Sequence, residues 1–149
     1  MQDMELKNLS DVNGLLPLKV FEMVSGHGSF ITIQLDSEAH KGQKIDIWVY
    51  LCNWKLINED MLVASSNSAK TDIERALCLF RGRRLEWMKE LRRGRIDLSF
   101  GGRNKLMLQS DEGMYAKSDD LLKIYLESGN VYCYSSAHGL YVGSGFVPT

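Results

Sequence analysis

The chain has 149 residues, which is the usual length of a single domain. With 44% hydrophobic and 25% charged residues it has the composition of a globular protein, which excludes an intrinsically disordered chain, a collagen and a multispan membrane protein. A chain of this size buries about 68–70% of the surface that it exposes when unfolded. We therefore expect one domain over residues 1–149 that folds without a metal, a disulfide or an organic cofactor.

The net charge of −1 conceals a strong segregation along the chain. The segment from Arg75 to Lys105 carries a net charge of +7, whereas residues 1–74 carry −5 and residues 106–149 carry −3. A nearly neutral total predicts no general affinity for polyanions, but the basic segment is able to hold an acidic partner.

The beginning of the chain lacks the features of a secretory signal. Asp11, Pro17 and Lys19 interrupt its apolar clusters, so no apolar run of the required length forms there. No stretch of the sequence reaches the roughly 18 apolar residues that span a bilayer. We expect a cytoplasmic protein that does not associate with membranes.

Three cysteines, Cys52, Cys78 and Cys133, lie far apart in the sequence. An odd number at wide spacing fits neither a disulfide framework nor a zinc site. We expect reduced thiols that pack as small hydrophobic side chains.

Alternating apolar residues predict four strands in the first half of the chain, over 18–24, 31–35, 45–51 and 61–64. The first two are expected to form a hairpin, because glycines lie in the intervening turn. In the third strand the positions between the alternating apolar residues hold Trp48 and Tyr50 instead of polar side chains. This predicts a central strand that is buried on both faces. The fourth strand follows a polar turn at 58–60 and is expected to pair with the third.

The hydrophobic period changes to that of a helix at Thr71. Thr71 and Glu74 have the spacing of a capping box, and Gly94 is a typical helix stop. At 100° per residue the apolar side chains form one stripe: Ile73, Ala76, Leu77, Phe80, Trp87, Met88 and Leu91. This pattern predicts one main amphipathic helix over about 72–93.

One residue conflicts with a continuous helix, which would place Arg84 near the middle of the apolar stripe. Either Gly82 breaks the helix, or Arg84 is buried with a carboxylate partner. The high cost of burying an unpaired charge favours the break at Gly82.

The remaining sequence returns to the period of strands, with hairpins predicted for 96–100 with 106–108 and for 122–126 with 131–134, and a last strand at 140–142. A two-residue turn within 128–130 places Tyr125, Tyr132 and Tyr134 on one face of the second hairpin. The fold class is therefore predicted to be α+β, with antiparallel hairpins and sheet packed around one main helix.

No pattern of catalytic or metal-binding residues emerges. His27, His40 and His138 lie in predicted turns without a second ligand at metal-binding spacing, which is typical of surface histidines. A small hydrolase remains an alternative if a loop histidine lies beside Cys52 or a serine. Three acidic pairs in predicted turns could hold a divalent ion, but they lack the spaced oxygen ligands of an EF-hand loop, which favours solvated turn residues: Glu59-Asp60, Asp111-Glu112 and Asp119-Asp120.

Three surfaces are candidates for binding a partner. Asp119 and Asp120 suit a basic protein, and the tyrosine face suits either a partner or internal packing. The third surface is the arginine-rich run, which comprises Arg81, Arg83, Arg84, Arg92, Arg93, Arg95 and Arg103. It fits a solvated helix face with the pairs Glu86–Lys89 and Glu90–Arg93, a patch around Arg92 and Arg93 for an acidic protein, or a small nucleic-acid-binding module over 81–95.

The closing stretch reads Ser118-Asp-Asp-Leu-Leu-Lys-Ile-Tyr-Leu-Glu-Ser-Gly-Asn-Val-Tyr-Cys-Tyr-Ser, followed by His138-Gly-Leu-Tyr. In this stretch, and in its size and layout, the chain resembles the immunity proteins of bacterial contact-dependent growth inhibition and related polymorphic toxin systems. The resemblance implies a non-catalytic protein that neutralises a cognate toxin, often a nuclease, by occluding its active site. It implies a protein partner rather than nucleic acid, and it transfers no functional residue.

Overall fold

The computed structural model of the chain describes residues 6–36 and 44–143. Their elements are a 3-10 helix at Leu9–Leu15, β1 (Leu18–Ser25), β2 (Ile31–Asp36), β3 (Lys44–Val49), β4 (Asn53–Asn58), β5 (Met61–Ser65), α1 (Lys70–Cys78), β6 (Arg84–Leu85), β7 (Trp87–Arg92), β8 (Arg95–Ser99), β9 (Lys105–Gln109), β10 (Asp120–Leu126), β11 (Val131–Ser135) and β12 (Gly139–Val142). Neither helix in these residues has the length and apolar character needed to cross a membrane.

The strands form two antiparallel sheets. The seven-stranded sheet has the order β12-β11-β10-β3-β2-β1-β6, and the five-stranded sheet has the order β5-β4-β9-β8-β7. The predicted hairpins β1–β2, β8–β9 and β10–β11 are confirmed, and β3 lies centrally as predicted. The pairing predicted for 61–64 with 45–51 is wrong, because β5 pairs with β4, a strand that follows β3 after a bend.

Each sheet packs one face against a common hydrophobic core. The buried cluster includes residues of both sheets, of α1 and of the 3-10 helix. Trp54 of the five-stranded sheet and Ile47 of the seven-stranded sheet are both almost completely buried in it. Alternation of buried and exposed positions along the strands leaves a second face of each sheet turned away from this core.

The predicted helix over 72–93 is wrong beyond its first third. The described chain is mainly antiparallel β-structure, and α1 ends at Cys78. Gly82 adopts a φ of +86°, in the left-handed region that favours glycine, and the chain then pairs as β6 with β1 and as β7 with β8. The helix thus ends four residues before the predicted break at Gly82 and does not resume, and Arg84 is exposed rather than buried.

The predicted capping box is also wrong. Ala69 is the N-cap residue of α1 and makes no side-chain hydrogen bond to the helix. Thr71 and Glu74 are both exposed, and the Glu74 carboxylate instead accepts a hydrogen bond of 3.3 Å from the Ser25 hydroxyl. Packing of Ile73 and Leu77 on the core holds the helix in place, so it does not need the predicted cap.

The 3-10 helix packs against β7, an edge strand of the five-stranded sheet. The Asn13 side chain donates a hydrogen bond of 3.0 Å to the Met88 carbonyl and accepts one of 2.8 Å from the Met88 amide. One side chain thus satisfies both backbone groups of an edge residue, which protects that part of the edge from pairing with another chain.

Candidate functional site

The loop between β10 and β11 decides which tyrosines face outwards. The Leu126 amide donates a hydrogen bond of 3.0 Å to the Asn130 carbonyl, which leaves three residues, 127–129, between this closing pair, and Gly129 has a φ of +98°. Leu122 consequently lies opposite Tyr134, and Ile124 opposite Tyr132. A two-residue turn would have shifted the pairing by one residue, so the predicted common face of Tyr125, Tyr132 and Tyr134 is wrong.

Tyr125 points outwards and joins an aromatic cluster on the outer surface of the seven-stranded sheet. We call this surface the aromatic face, and it comprises Phe30, Trp48, Tyr50 and Tyr125. The ring centroids of Trp48 lie 5.0 Å from Tyr125 and 5.7 Å from Tyr50, and those of Phe30 and Tyr50 lie 4.9 Å apart. All four side chains are half-buried, so the prediction that Trp48 and Tyr50 are buried is wrong in degree.

Trp48 and Tyr125 lie on the neighbouring strands β3 and β10, whereas Phe30 and Tyr50 lie immediately before β2 and immediately after β3. Trp48 of β3 lies between Thr32 of β2 and Lys123 of β10. The Lys123 ammonium group lies 5.3 Å from the centre of the Tyr50 ring, a distance that permits a cation–π interaction. The Trp48 and Tyr125 rings are thus carried by two adjacent, hydrogen-bonded strands in the middle of the sheet.

The phenol groups of the aromatic face remain uncharged at neutral pH. Burial raises the pKa of Tyr125 to about 12, with a further contribution from the neighbouring Tyr50. Burial also raises the pKa of Tyr50. The Tyr125 hydroxyl is buried and makes no hydrogen bond of good geometry within the described chain. The face therefore offers a partner mainly the surfaces of large rings, because the Tyr125 hydroxyl is buried beneath them.

A polar cluster adjoins the aromatic face at β10, β11 and β12. The Tyr141 hydroxyl donates a hydrogen bond of 2.5 Å to the Asp120 carboxylate, and the Lys123 ammonium lies 4.0 Å from the same carboxylate. Cys133 is buried among these strands. Burial is the main cause that raises the pKa of its thiol, and the nearby charge of Asp120 is the second. Asp120 thus lies at the edge of the aromatic face, and its carboxylate is already engaged by Tyr141 and Lys123.

Tyr132 and Tyr134, predicted as partner-binding residues, point into the core instead. The Tyr134 hydroxyl accepts a hydrogen bond of 2.9 Å from the Gly94 amide and donates one to the Glu90 carboxylate. The Tyr132 hydroxyl accepts a bond of 3.3 Å from the Leu6 amide. These tyrosines support the fold, because each connects the seven-stranded sheet to a different segment of the chain.

The other predicted partner-binding residues are dispersed. Asp119 accepts a hydrogen bond of 2.9 Å from the Ala116 amide and stabilises the turn before β10. Arg92 and Arg93 lie at the β7–β8 turn, where Arg93 is 3.4 Å from Glu90. The structure therefore does not bring Asp119, Arg92 and Arg93 into the aromatic face.

The arginine-rich run is divided between the two sheets and is largely paired. Arg81 contacts Glu22 at 2.7 Å, and Arg83 lies over the Phe80 ring at 4.5 Å. Arg103 contacts both carboxylates of the acidic pair Glu59-Asp60 at 3.3 Å. The predicted continuous basic helix face over 81–95 therefore does not exist.

The described residues do not form a recognisable catalytic arrangement. Burial raises the pKa of the Cys52 thiol to about 12, which opposes formation of a nucleophilic thiolate. His27 is exposed in the β1–β2 turn, and the His138 ring packs against Tyr141 with centroids 5.7 Å apart. His40 lies outside the described residues. Within residues 6–36 and 44–143 no three His, Cys, Asp or Glu side chains are grouped to hold a metal ion.

All three cysteines are free. Cys52 and Cys133 are buried as expected for small hydrophobic side chains, whereas Cys78 is exposed at the end of α1.

Comparison of the chain with protein-family models, with curated proteins and with solved structures finds no match.

Proposed function

We propose that this protein is an immunity protein, which binds a cognate bacterial toxin through the aromatic face and blocks the toxin's active site without chemistry of its own. The observation that carries the proposal is the group of half-buried aromatic rings, centred on Trp48, on the outer surface of the seven-stranded sheet. The sequence resemblance is the reason for proposing a toxin as the partner. The aromatic face is the surface that we propose to bind it.

Aromatic side chains are the residues that most often dominate the affinity of protein interfaces. Trp and Tyr bury a large area at a small cost in side-chain entropy, and their polar tips form hydrogen bonds to a partner. Trp48, Tyr50 and Tyr125 already restrict one another by ring contacts, so little further freedom is lost on binding. Slow dissociation follows from such anchors, and an inhibitor requires slow dissociation.

A nucleic-acid-binding function receives less support from the arrangement. Proteins that bind single strands place stacking rings and cationic side chains on one surface. Here the aromatic cluster lies on the seven-stranded sheet, where Lys123 faces Asp120, whereas Lys55, Lys89 and Lys105 lie on the five-stranded sheet. A hydrolase is likewise less favoured, because the raised pKa of Cys52 keeps this thiol protonated.

Co-expression tests the proposal directly. The chain is produced together with the toxic domain encoded by the neighbouring gene, and both growth and complex formation are measured. We expect the cells to survive and a complex of one chain per toxin domain to co-purify. Failure of the folded chain both to bind the domain and to protect the cells would contradict the immunity function.

A further inference from the structure

The outer surface of the five-stranded sheet concentrates positive charge from three separate parts of the sequence. Strand pairing places Lys55, Met107, Asp97 and Lys89 in one row across β4, β9, β8 and β7. The rows on either side are Ile57-Lys105-Ser99-Trp87 and Asn53-Gln109-Arg95-Arg92. We call this surface the basic face, defined by Lys55, Lys89, Arg92, Arg95 and Lys105.

Only one carboxylate lies within these three rows. Asp97 is buried and lies 3.6 Å from Arg95, so its charge is already engaged inside the protein. The described part of the chain offers no ion pair to Lys55, Lys89, Lys105 or Arg92. Four cations therefore remain available to a partner.

One pair of opposed residues within the basic face carries like charges. Arg92 lies directly opposite Arg95 across the β7–β8 pair, and like charges in opposed positions destabilise a sheet. Asp97 already offsets the charge of Arg95, so Arg92 is the guanidinium group that an external anionic group would neutralise.

We propose that the basic face is a second interaction surface, which binds an acidic segment or patch of another protein. Charge complementarity determines that the partner is anionic. The centre of the face favours a protein over a nucleic acid, because the apolar Met107 occupies it and the carboxylate of Asp97 adjoins it. Trp87, 40% exposed, lies at one corner, and Trp, Met and Arg are the residues enriched at protein interfaces.

The surface is independent of the proposed toxin interface. The aromatic face belongs to the seven-stranded sheet, whereas the basic face belongs to the five-stranded sheet. Loss of one interaction is therefore distinguishable from loss of the other.

Two anionic probes of similar charge test the proposal: a 20-residue poly-glutamate peptide and a 20-nucleotide oligothymidylate. We expect the peptide to bind at low salt, with amide NMR shifts confined to β4, β9, β8 and β7. The double substitution Lys55→Glu and Lys105→Glu should weaken peptide binding at least tenfold. The double substitution Lys55→Gln and Lys105→Gln replaces it if the charge reversal prevents folding.

Lys70→Glu is the matched control, because this exposed lysine begins α1 and lies outside the three rows. It should leave peptide binding within twofold of the wild-type value. The proposal is overturned if the peptide does not bind, if Lys70→Glu weakens binding as much as the reversal on the face, or if the oligonucleotide binds more tightly through the same lysines.

Discussion

Replacement of Tyr134 by phenylalanine is expected to destabilise the protein by about 2–4 kcal/mol, because one buried hydroxyl satisfies two groups of the β7–β8 turn. Without it the buried Gly94 amide loses its acceptor, and the Glu90 carboxylate loses its donor. Leaving a partly buried charge without its hydrogen bond costs more than losing a neutral pair. Urea denaturation monitored by circular dichroism measures the loss.

Tyr132→Phe is the matched control for this substitution. It removes the same atom from the neighbouring inward position of β11, where the hydroxyl accepts one longer bond of 3.3 Å from Leu6. We expect a loss of about 1 kcal/mol. Equal losses for the two variants would show that the contact between Tyr134 and the β7–β8 turn contributes nothing particular to stability.

Alkaline pH is expected to unfold the protein well before the backbone is chemically affected. Burial raises the pKa of Cys52 from 9 to about 12, and it also raises the pKa values of Tyr50, Tyr125 and Tyr134 above 10. The folded state therefore keeps protons that the unfolded state releases. The resulting stability is fully present below about pH 9 and is lost as the pH rises through the folded pKa values.

Cys52 alone should account for a loss on the order of 4 kcal/mol by pH 12, since each pKa unit corresponds to about 1.4 kcal/mol. Tryptophan fluorescence and circular dichroism followed from pH 8 to 12 measure the transition. Cys52→Ala should make the fall in stability with pH shallower, whereas the exposed Cys78→Ala should leave it unchanged. Stability that is constant from pH 9 to 12 would contradict the burial of these groups.

Local sequence patterns predicted most strands but missed β4, and they assigned β6 and β7 to a long helix that does not form. Strict alternation around Ile33 and Ile47 has one structural solution, a half-buried strand, and both strands were found. Residues 84–91 fit the helical period only because Trp87 and Leu91 are apolar, yet both are exposed. Pairing of β7 with β8 outweighs the helical pattern of this segment. A hydrophobic pattern within one segment carries no information about the strand with which that segment pairs.

The candidate site could be predicted only in part, because it depends on the length of one loop. Tyr125 and Asp120 were identified from the sequence, but a three-residue loop instead of a two-residue turn reversed the faces of Tyr132 and Tyr134. Trp48 and Tyr50 alternate with buried residues, which is the signal that would have placed them on the outer face. Their apolar character led instead to a prediction of burial.

The basic face was beyond prediction from the sequence for a similar reason. Lys55, Lys89 and Lys105 are far apart in the chain and become neighbours only through the strand order of the five-stranded sheet. The charge run indicated only part of the set: Arg92 and Arg95 belong to the basic face, whereas Arg81 and Arg103 are paired with carboxylates elsewhere.

The dissociation constant of the proposed complex with a cognate toxin domain tests the central role of the aromatic face most directly. Calorimetry compares the wild-type chain with Trp48→Ala and with Met61→Ala, which truncates an exposed apolar side chain on the other sheet. We predict that Trp48→Ala raises the dissociation constant roughly 30-fold or more, as at an interface hot spot, while Met61→Ala changes it less than threefold. A folded Trp48→Ala variant that binds the toxin domain as tightly as the wild-type chain would contradict the account.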